Sequence, residues 1–543
     1  MTLRTHVLSG IQWTAGAKLA GQVVTWAITL IVMRLLSPGD YGLLAMASVF
    51  IALLLVLAEA GLGPALVQWK DFDPALLKPA FGVIIVINVA LFALSFAAAP
   101  LLASFIREER LIAVVRVLVA QFIIMIATVI PEAMLTRQLQ FKSLSLIELL
   151  AAVSASVVSL LLAWFGYGVW ALVAGSMASR VLRAVALNVL APLRVVPTAS
   201  LKDIRRLLGF GGNVTGARLL SFVFNQADVV VVGRMLGNEL LGLYSVAMHL
   251  ASMPVQRVSS ILNQVTFPVI ARFQDDRVAI ADFVRRAVRG LSLIAFPVLW
   301  GMSCTAGELV EIVLGPKWHD AIVPLQVLAL MTPVKMIVNF LPAATDALGR
   351  PDLGFQNVLL ATLVMPLAFV VGARWGIDGI AFAWLVAYPP VLLFNTRRML
   401  SIMGLRAGDL VKEILPAVGC ATAMYAAVRF AAAVLSPSID HRLTLVALIA
   451  TGALTYGVLT LVANREGYRD LTGRCARPGC SLRHRLRPSV WRTRWAPAVL
   501  PVQLVSRGDP TTPRASSGST PARRNIRAPT AADRASAAAG TPV

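Results

Sequence analysis

Between Ile11 and Ala463 the chain alternates long apolar runs with short polar breaks, and that alternation decides its fold class. Fourteen runs stand out, at roughly 11–33, 42–67, 80–104, 113–134, 144–165, 168–190, 207–232, 240–270, 287–314, 320–348, 355–372, 377–396, 411–435 and 442–463. Each is near the ~20 apolar residues that cross a hydrocarbon core as a helix. Within lipid, every backbone N–H and C=O must be satisfied inside the segment, so runs of this length predict an all-α integral membrane protein. A mean hydropathy of +0.77 and only 14% charged residues exclude an ordinary soluble enzyme and a largely disordered chain. The first run extends from Ile11 to Met33, longer than the apolar core of a cleaved leader.

The net charge of +22 invites a nucleic-acid reading, but its distribution opposes one. Residues 464–543 hold 15 Arg and 4 acids, half of the excess. This stretch has no apolar period and reads as a disordered basic cytoplasmic tail. The remaining cations fall mostly in connections, where they set membrane orientation. With the N-terminus inside, the inside connections carry 21 Lys and Arg, Arg180 and Arg183 counted among them, and the outside connections carry 8. Both ends are therefore expected in the cytoplasm. The four cysteines are too scattered for a disulfide framework. Cys475, Cys480 and His484 lack a fourth ligand at a zinc spacing, so no metal site is expected.

A shift of 200 residues lays the chain on itself. Between 14 and 47, eleven of 34 positions match 214–247: Gly16, Ala17, Leu19, Val23, Ala27, Val32, Arg34, Leu36, Gly42, Leu43 and Ala47. Lys18 also falls on Arg218. Six runs separate the copies, an even number, so both start on the same side of the membrane. The expected architecture is two parallel six-helix halves, 1–200 and 201–400, around a central cavity, with two further helices at 401–463. Transporters often place their site between such halves.

Ionisable residues inside spans normally face protein or a cavity. Arg218, Ser221, Asn225 and Asp228 make one helical stripe, matched by Lys18, Gln22, Thr25 and Thr29. His249, Ser252, Gln256, Ser260 and Asn263 make another, with Arg257 at its edge. Thr332, Lys335, Asn339 and Asp346 share a face, as do Gln121, Thr128 and Glu132. Asp228 lies near a span end, where pairing with Arg34 or Arg234 is an equal expectation. Glu132 and Asp346 lie toward helix ends, where structural pairing competes with function. No phosphate-binding Gly-Lys-Ser/Thr loop, His-Glu-x-x-His or Gly-x-Ser-x-Gly occurs, so no enzyme activity is expected.

Ser9-Gly10-Ile11-Gln12-Trp13 and Arg34-Leu35-Leu36-Ser37-Pro38-Gly39-Asp40-Tyr41-Gly42 resemble the polysaccharide transporter family, the Wzx-type flippases of the multidrug/oligosaccharidyl-lipid/polysaccharide exporter superfamily. Asn225-Gln226-Ala227-Asp228, Gly233-Arg234-Met235-Leu236-Gly237 and Leu241-Gly242-Leu243-Tyr244-Ser245 look like that family's start of the second half. The resemblance covers about 1–460. It implies movement of an undecaprenyl-pyrophosphate-linked oligosaccharide across the bacterial inner membrane by alternating access, for exopolysaccharide, capsule or O-antigen synthesis. On that reading Lys18, Arg218, Arg257 and Lys335 are the candidates for holding the pyrophosphate. Asp228, Glu132 and Asp346 are the candidate carriers if an H⁺ or Na⁺ gradient drives the step; no other cofactor is implied. The expected partners are membrane lipid, the polysaccharide polymerase and chain-length proteins, with no nucleic acid. A cation-coupled multidrug exporter and a membrane scaffold of a polysaccharide synthesis complex are the alternatives. The orientation has a direct check. Alkaline phosphatase fused after Asp40 or within 316–320 should be active and fused near Arg206 inactive; activity at Arg206 would reverse the assignment.

Overall fold

The computed structural model describes residues 21–22, 24–59, 74–138, 140–192, 196–198, 201–272, 276–435 and 440–464. The basic stretch from 465 onward and Lys18 lie outside the described residues. No strand occurs among the described residues. The helices are α1 (Val24–Leu35), α2 (Pro38–Glu59), α3 (Pro74–Ile106), α4 (Leu111–Leu118), α5 (Gln121–Ile126), α6 (Val129–Arg137), α7 (Phe141–Trp164) and α8 (Val169–Leu190). Then follow α9 (Leu201–Met235), α10 (Asn238–Arg272), α11 (Arg277–Cys304), α12 (Ile322–Val338), α13 (Leu341–Ala347), α14 (Pro351–Gly372), α15 (Gly376–Val386), α16 (Tyr388–Ile402), α17 (Ala407–Leu435) and α18 (His441–Ala463).

Helix lies on the described part of each predicted run. Nine helical stretches among the described residues are long and apolar enough to cross a membrane, or ten with the bent pair 111–126 and 129–137 as one. The stretch 352–402 is 51 residues, twice a span, and turns back through a one-turn 3₁₀ segment at 373–375. α9 and α10 carry the polar stripes and fall outside the nine. The ninth run differs from expectation. Its helix starts earlier, at Arg277, because Asp276 accepts hydrogen bonds from the Val278 and Ala279 N–H groups as an N-cap. It also ends earlier, at Cys304, and 306–321 folds as short single turns around Gly315 and Pro316.

In both halves the fourth crossing is broken, and the cause is the same. Pro131 has no N–H to give the carbonyl four residues back, at Ala127, and the helix bends by 47° there. The Asn188 amide of α8 donates to that Ala127 oxygen instead, at 2.7 Å. Pro342 likewise cannot reach Val338, where α12 stops before α13 begins.

The halves meet where α2 crosses α10. A Cβ at Gly42 would overlap the Asn238 carbonyl, and a Cβ at Gly242 would overlap the Pro38 carbonyl. Positions 38 and 238, and 42 and 242, are equivalents under the 200-residue shift, so the contact is reciprocal. Only residues without a side chain let the backbones approach this closely. Pro38 opens α2 at a position where its missing N–H costs nothing. Ser37 and Asp40 cap that end, with Ser37 N–H to Asp40 Oδ2 at 3.0 Å and Asp40 N–H to Ser37 Oγ at 3.3 Å.

Further ties gather at the same end. Arg34 donates to the Ile312 carbonyl at 2.8 Å, and the buried Trp318 indole donates to the Met33 carbonyl at 3.1 Å. Tyr41 meets Trp318 edge-on. Asn238 donates to Glu108, which also binds Arg110. That hydrogen bond, with the adjoining charge, raises the Arg110 guanidinium above its ordinary value. Valine at either Gly42 or Gly242 should lower the melting temperature of the purified protein by a similar amount, through overpacking worth about 1–3 kcal/mol. Gly290→Ala, mid-helix with open space around it, should not lower the melting temperature. An unaltered Gly42→Val melt would remove the crossing as a constraint.

Candidate functional site

Two polar clusters lie within the helical bundle, one in each half. The second-half cluster draws one residue from each of four helices. Asp228 of α9 is 2% exposed. Its Oδ2 accepts from the Tyr244 hydroxyl of α10 at 2.7 Å and from the Trp384 indole N–H of α15 at 3.3 Å. Its Oδ1 accepts from the Val229 N–H at 2.8 Å. The Lys335 ammonium of α12 sits 4.0 Å from the Trp384 ring centroid, within cation–π range. Lys335 and Asp228 are within electrostatic reach of each other. The indole therefore bridges the two charges: its edge donates to the carboxylate and its face receives the ammonium. Phe224, Phe369 and Tyr388 pack around that indole at 5.2–6.0 Å.

The first-half cluster lies on α8 and α6. Arg183 and Glu132 form an ion pair at 2.6 Å, with side chains 37% and 42% exposed. Arg180, one turn earlier on α8, lies close enough to Arg183 for mutual repulsion. At 1.5 Å per residue it is ~16 Å from Val169 and ~15 Å from Leu190, the middle of the span. Asn188 fixes the register of α8 against the break beside Glu132.

Several sequence-level assignments change. Arg180 and Arg183 are not connection residues; α8 runs unbroken from 169 to 190 and places both deep within it. Asp228 pairs with neither Arg34 nor Arg234: Arg34 binds the Ile312 carbonyl, and Arg234 stacks over Phe105. Its partners are Tyr244 and Trp384, which sequence reasoning missed because aromatics in an apolar run read as core. Lys335 and Asp228, taken separately as phosphate cation and ion carrier, come together. The stripe Thr332–Lys335–Asn339–Asp346 is cut after Val338, leaving Asp346 exposed near the end of α13. Glu132 belongs to Arg183. Arg218 and Arg257 lie on α9 and α10, but their side chains are outside the described set, as is the whole of Lys18.

The model of the family described as "Polysaccharide biosynthesis protein" matches residues 31–323, more than half of the chain. The teichuronic acid biosynthesis protein TuaB of Bacillus subtilis is 26% identical over 407 residues, 74% of this chain and 83% of TuaB. The succinoglycan biosynthesis transport protein ExoT of Rhizobium meliloti is 24% identical over 391 residues, 71% of this chain and 78% of ExoT. Among solved structures, the lipid II flippase MurJ in an inward closed conformation superposes with a TM-score of 0.67 at 14% identity, covering 84% of this chain and 99% of MurJ. That last likeness speaks for the fold.

The Asp228–Lys335 arrangement makes a stability prediction. Removing one partner of a buried charge pair costs about 3–5 kcal/mol, because the other is left uncompensated. Asp228→Asn and Lys335→Gln should each lower folded yield and melting temperature, and the double variant should recover part of the loss. Strictly additive losses in that cycle would show that the two charges do not interact.

Proposed function

The chain belongs to the polysaccharide biosynthesis protein family of multi-pass membrane proteins, and on that premise we propose that it is a flippase for a saccharide carried on undecaprenyl pyrophosphate. The observation that carries this reading is a pair of charged clusters well within the helical spans, one in each half, the second buried and the first partly exposed. Charge is costly in hydrocarbon, and it is kept where it serves a polar cargo. The glycan and diphosphate would pass between the halves while the lipid tail stays in the bilayer. Among the described groups at mid-depth, Arg180, Arg183 and Lys335 outnumber Asp228 and Glu132. That balance suits an anionic cargo and disfavours export of cationic drugs.

With both termini in the cytoplasm, the α2–α10 crossing is the outer closure, and its opening would release cargo to the outer leaflet. Lys18, Arg218 and Arg257 remain proposed contacts along the route. If an H⁺ or Na⁺ gradient is coupled, Asp228 is the favoured carrier: a proton or cation arriving there would release Lys335 from its counter-charge. Glu132 is held by Arg183, and Asp346 lies exposed at a helix end. A polysaccharide polymerase and its chain-length proteins would receive the delivered unit.

The full-length protein in liposomes, given a fluorescent lipid-linked oligosaccharide, should expose the glycan on the opposite leaflet at a protein-dependent rate. A strain lacking it should lose surface polysaccharide without gaining drug sensitivity. Efflux of a lipophilic cation with no glycan movement would replace this reading by the exporter one. Polysaccharide lost on removal of 465–543 alone, with the spans intact, would favour a scaffold.

A further inference from the structure

The two clusters do not carry the same charge. Lys335 and Asp228 carry opposite charges on the two aspects of the Trp384 indole, without direct ion-pair contact. Arg180, Arg183 and Glu132 leave one positive unit, and among the described residues no carboxylate pairs with Arg180. Where Arg180 points follows from helix phase. Val173, Arg180 and Leu187 are spaced by seven and lie on one face of α8. Val173 and Leu187 are 1% and 0% exposed, packed against the bundle. The opposite face carries Val185 and Val189, exposed as lipid-facing residues should be. Arg180 therefore stands on the inward face, yet its own side chain is exposed. A mid-span guanidinium on the inward-phased side, with an exposed side chain and, among the described residues, no counter-charge, is suited to hold an anion.

We propose that Arg180, with Arg183 steadied beside it by Glu132, is the docking site for the diphosphate of the cargo's lipid carrier. This rests on the flippase reading and moves the anion-holding role from Lys335 to the first half. Lys335 is already matched by Asp228, so a diphosphate there would have to displace a buried carboxylate. At α8 it would meet a free guanidinium fork, whose paired N–H groups suit phosphate oxygens. Arg183 is the second donor, freed in part as the phosphate competes with Glu132. Removing Arg180 should not harm the fold, because an uncompensated charge leaves with it. That separates a binding role from a structural one.

The test uses the full-length protein in nanodiscs of zwitterionic lipid, titrated with farnesyl diphosphate or inorganic pyrophosphate and followed by thermal shift and direct binding. Farnesyl diphosphate should bind and raise the wild-type melting temperature. Arg180→Gln should melt no lower than wild type without ligand and bind about tenfold to a hundredfold more weakly, the loss of one or two charge-assisted hydrogen bonds. Arg180→Lys should keep part of the affinity, and Arg374→Gln, at an exposed turn, all of it. Unchanged affinity in Arg180→Gln, or a lower melting temperature without ligand, would overturn the assignment. Equal affinity for inorganic pyrophosphate would overturn the lipid-borne ligand. A wild type that binds farnesyl diphosphate but moves no glycan lipid would sink the proposed function and leave this site standing.

Discussion

The approach of α2 to α10 through Gly42 and Gly242 is the constraint on which the arrangement of the halves depends. Each glycine admits the carbonyl of the other helix's first turn, at Asn238 and Pro38. The contact is the same read from either half. The surrounding ties, Arg34 to Ile312 and Trp318 to Met33, join the same two halves and extend the seal. The glycine crossing itself rests on close packing rather than on a buried polar bond, so only the Arg34 and Trp318 hydrogen bonds beside it need replacing when the halves part. A gate that must open and close is well served by such a contact.

Proline gives the halves their second shared feature. A membrane helix that loses a backbone hydrogen bond must find another donor or stop. The first half does the former, with Asn188 serving the carbonyl that Pro131 leaves; the second does the latter, ending α12 at Val338 before Pro342. Each break lies near that half's charged cluster. The bend brings Glu132 to α8, and the stop leaves Lys335 in the last turn of α12, beside α15.

The helical layout was legible because apolar length is a local property. The repeat was legible too, and it placed Gly42 on Gly242 without showing that the two meet. Asp228 and Lys335 were found from their cost in lipid, but their pairing through Trp384 spans three helices far apart in sequence, and nothing local marks an indole as a bridge. Arg180 and Arg183 were misread for a physical reason. Charge counting assigns a cation near the end of an apolar run to the adjoining connection, and ten further residues of helix beyond Arg180 could not be told from a polar break. Asn188 and Arg183 read like connection residues in a sequence window; only the unbroken turns of α8 place both within the span.

The halves thus share a backbone plan and differ in charge. A symmetric shell moves each half equally about the axis, but a cargo with one anionic group needs one dock, and two equal docks would hold it in two poses. Neutralising the second-half cluster internally, with Asp228 against Lys335, removes that ambiguity. On the proposed assignments it would also leave a charge pair whose balance an arriving proton or cation could upset while the cargo is held elsewhere. Binding and driving would then occupy different halves of one molecule, joined at the crossing of Gly42 and Gly242.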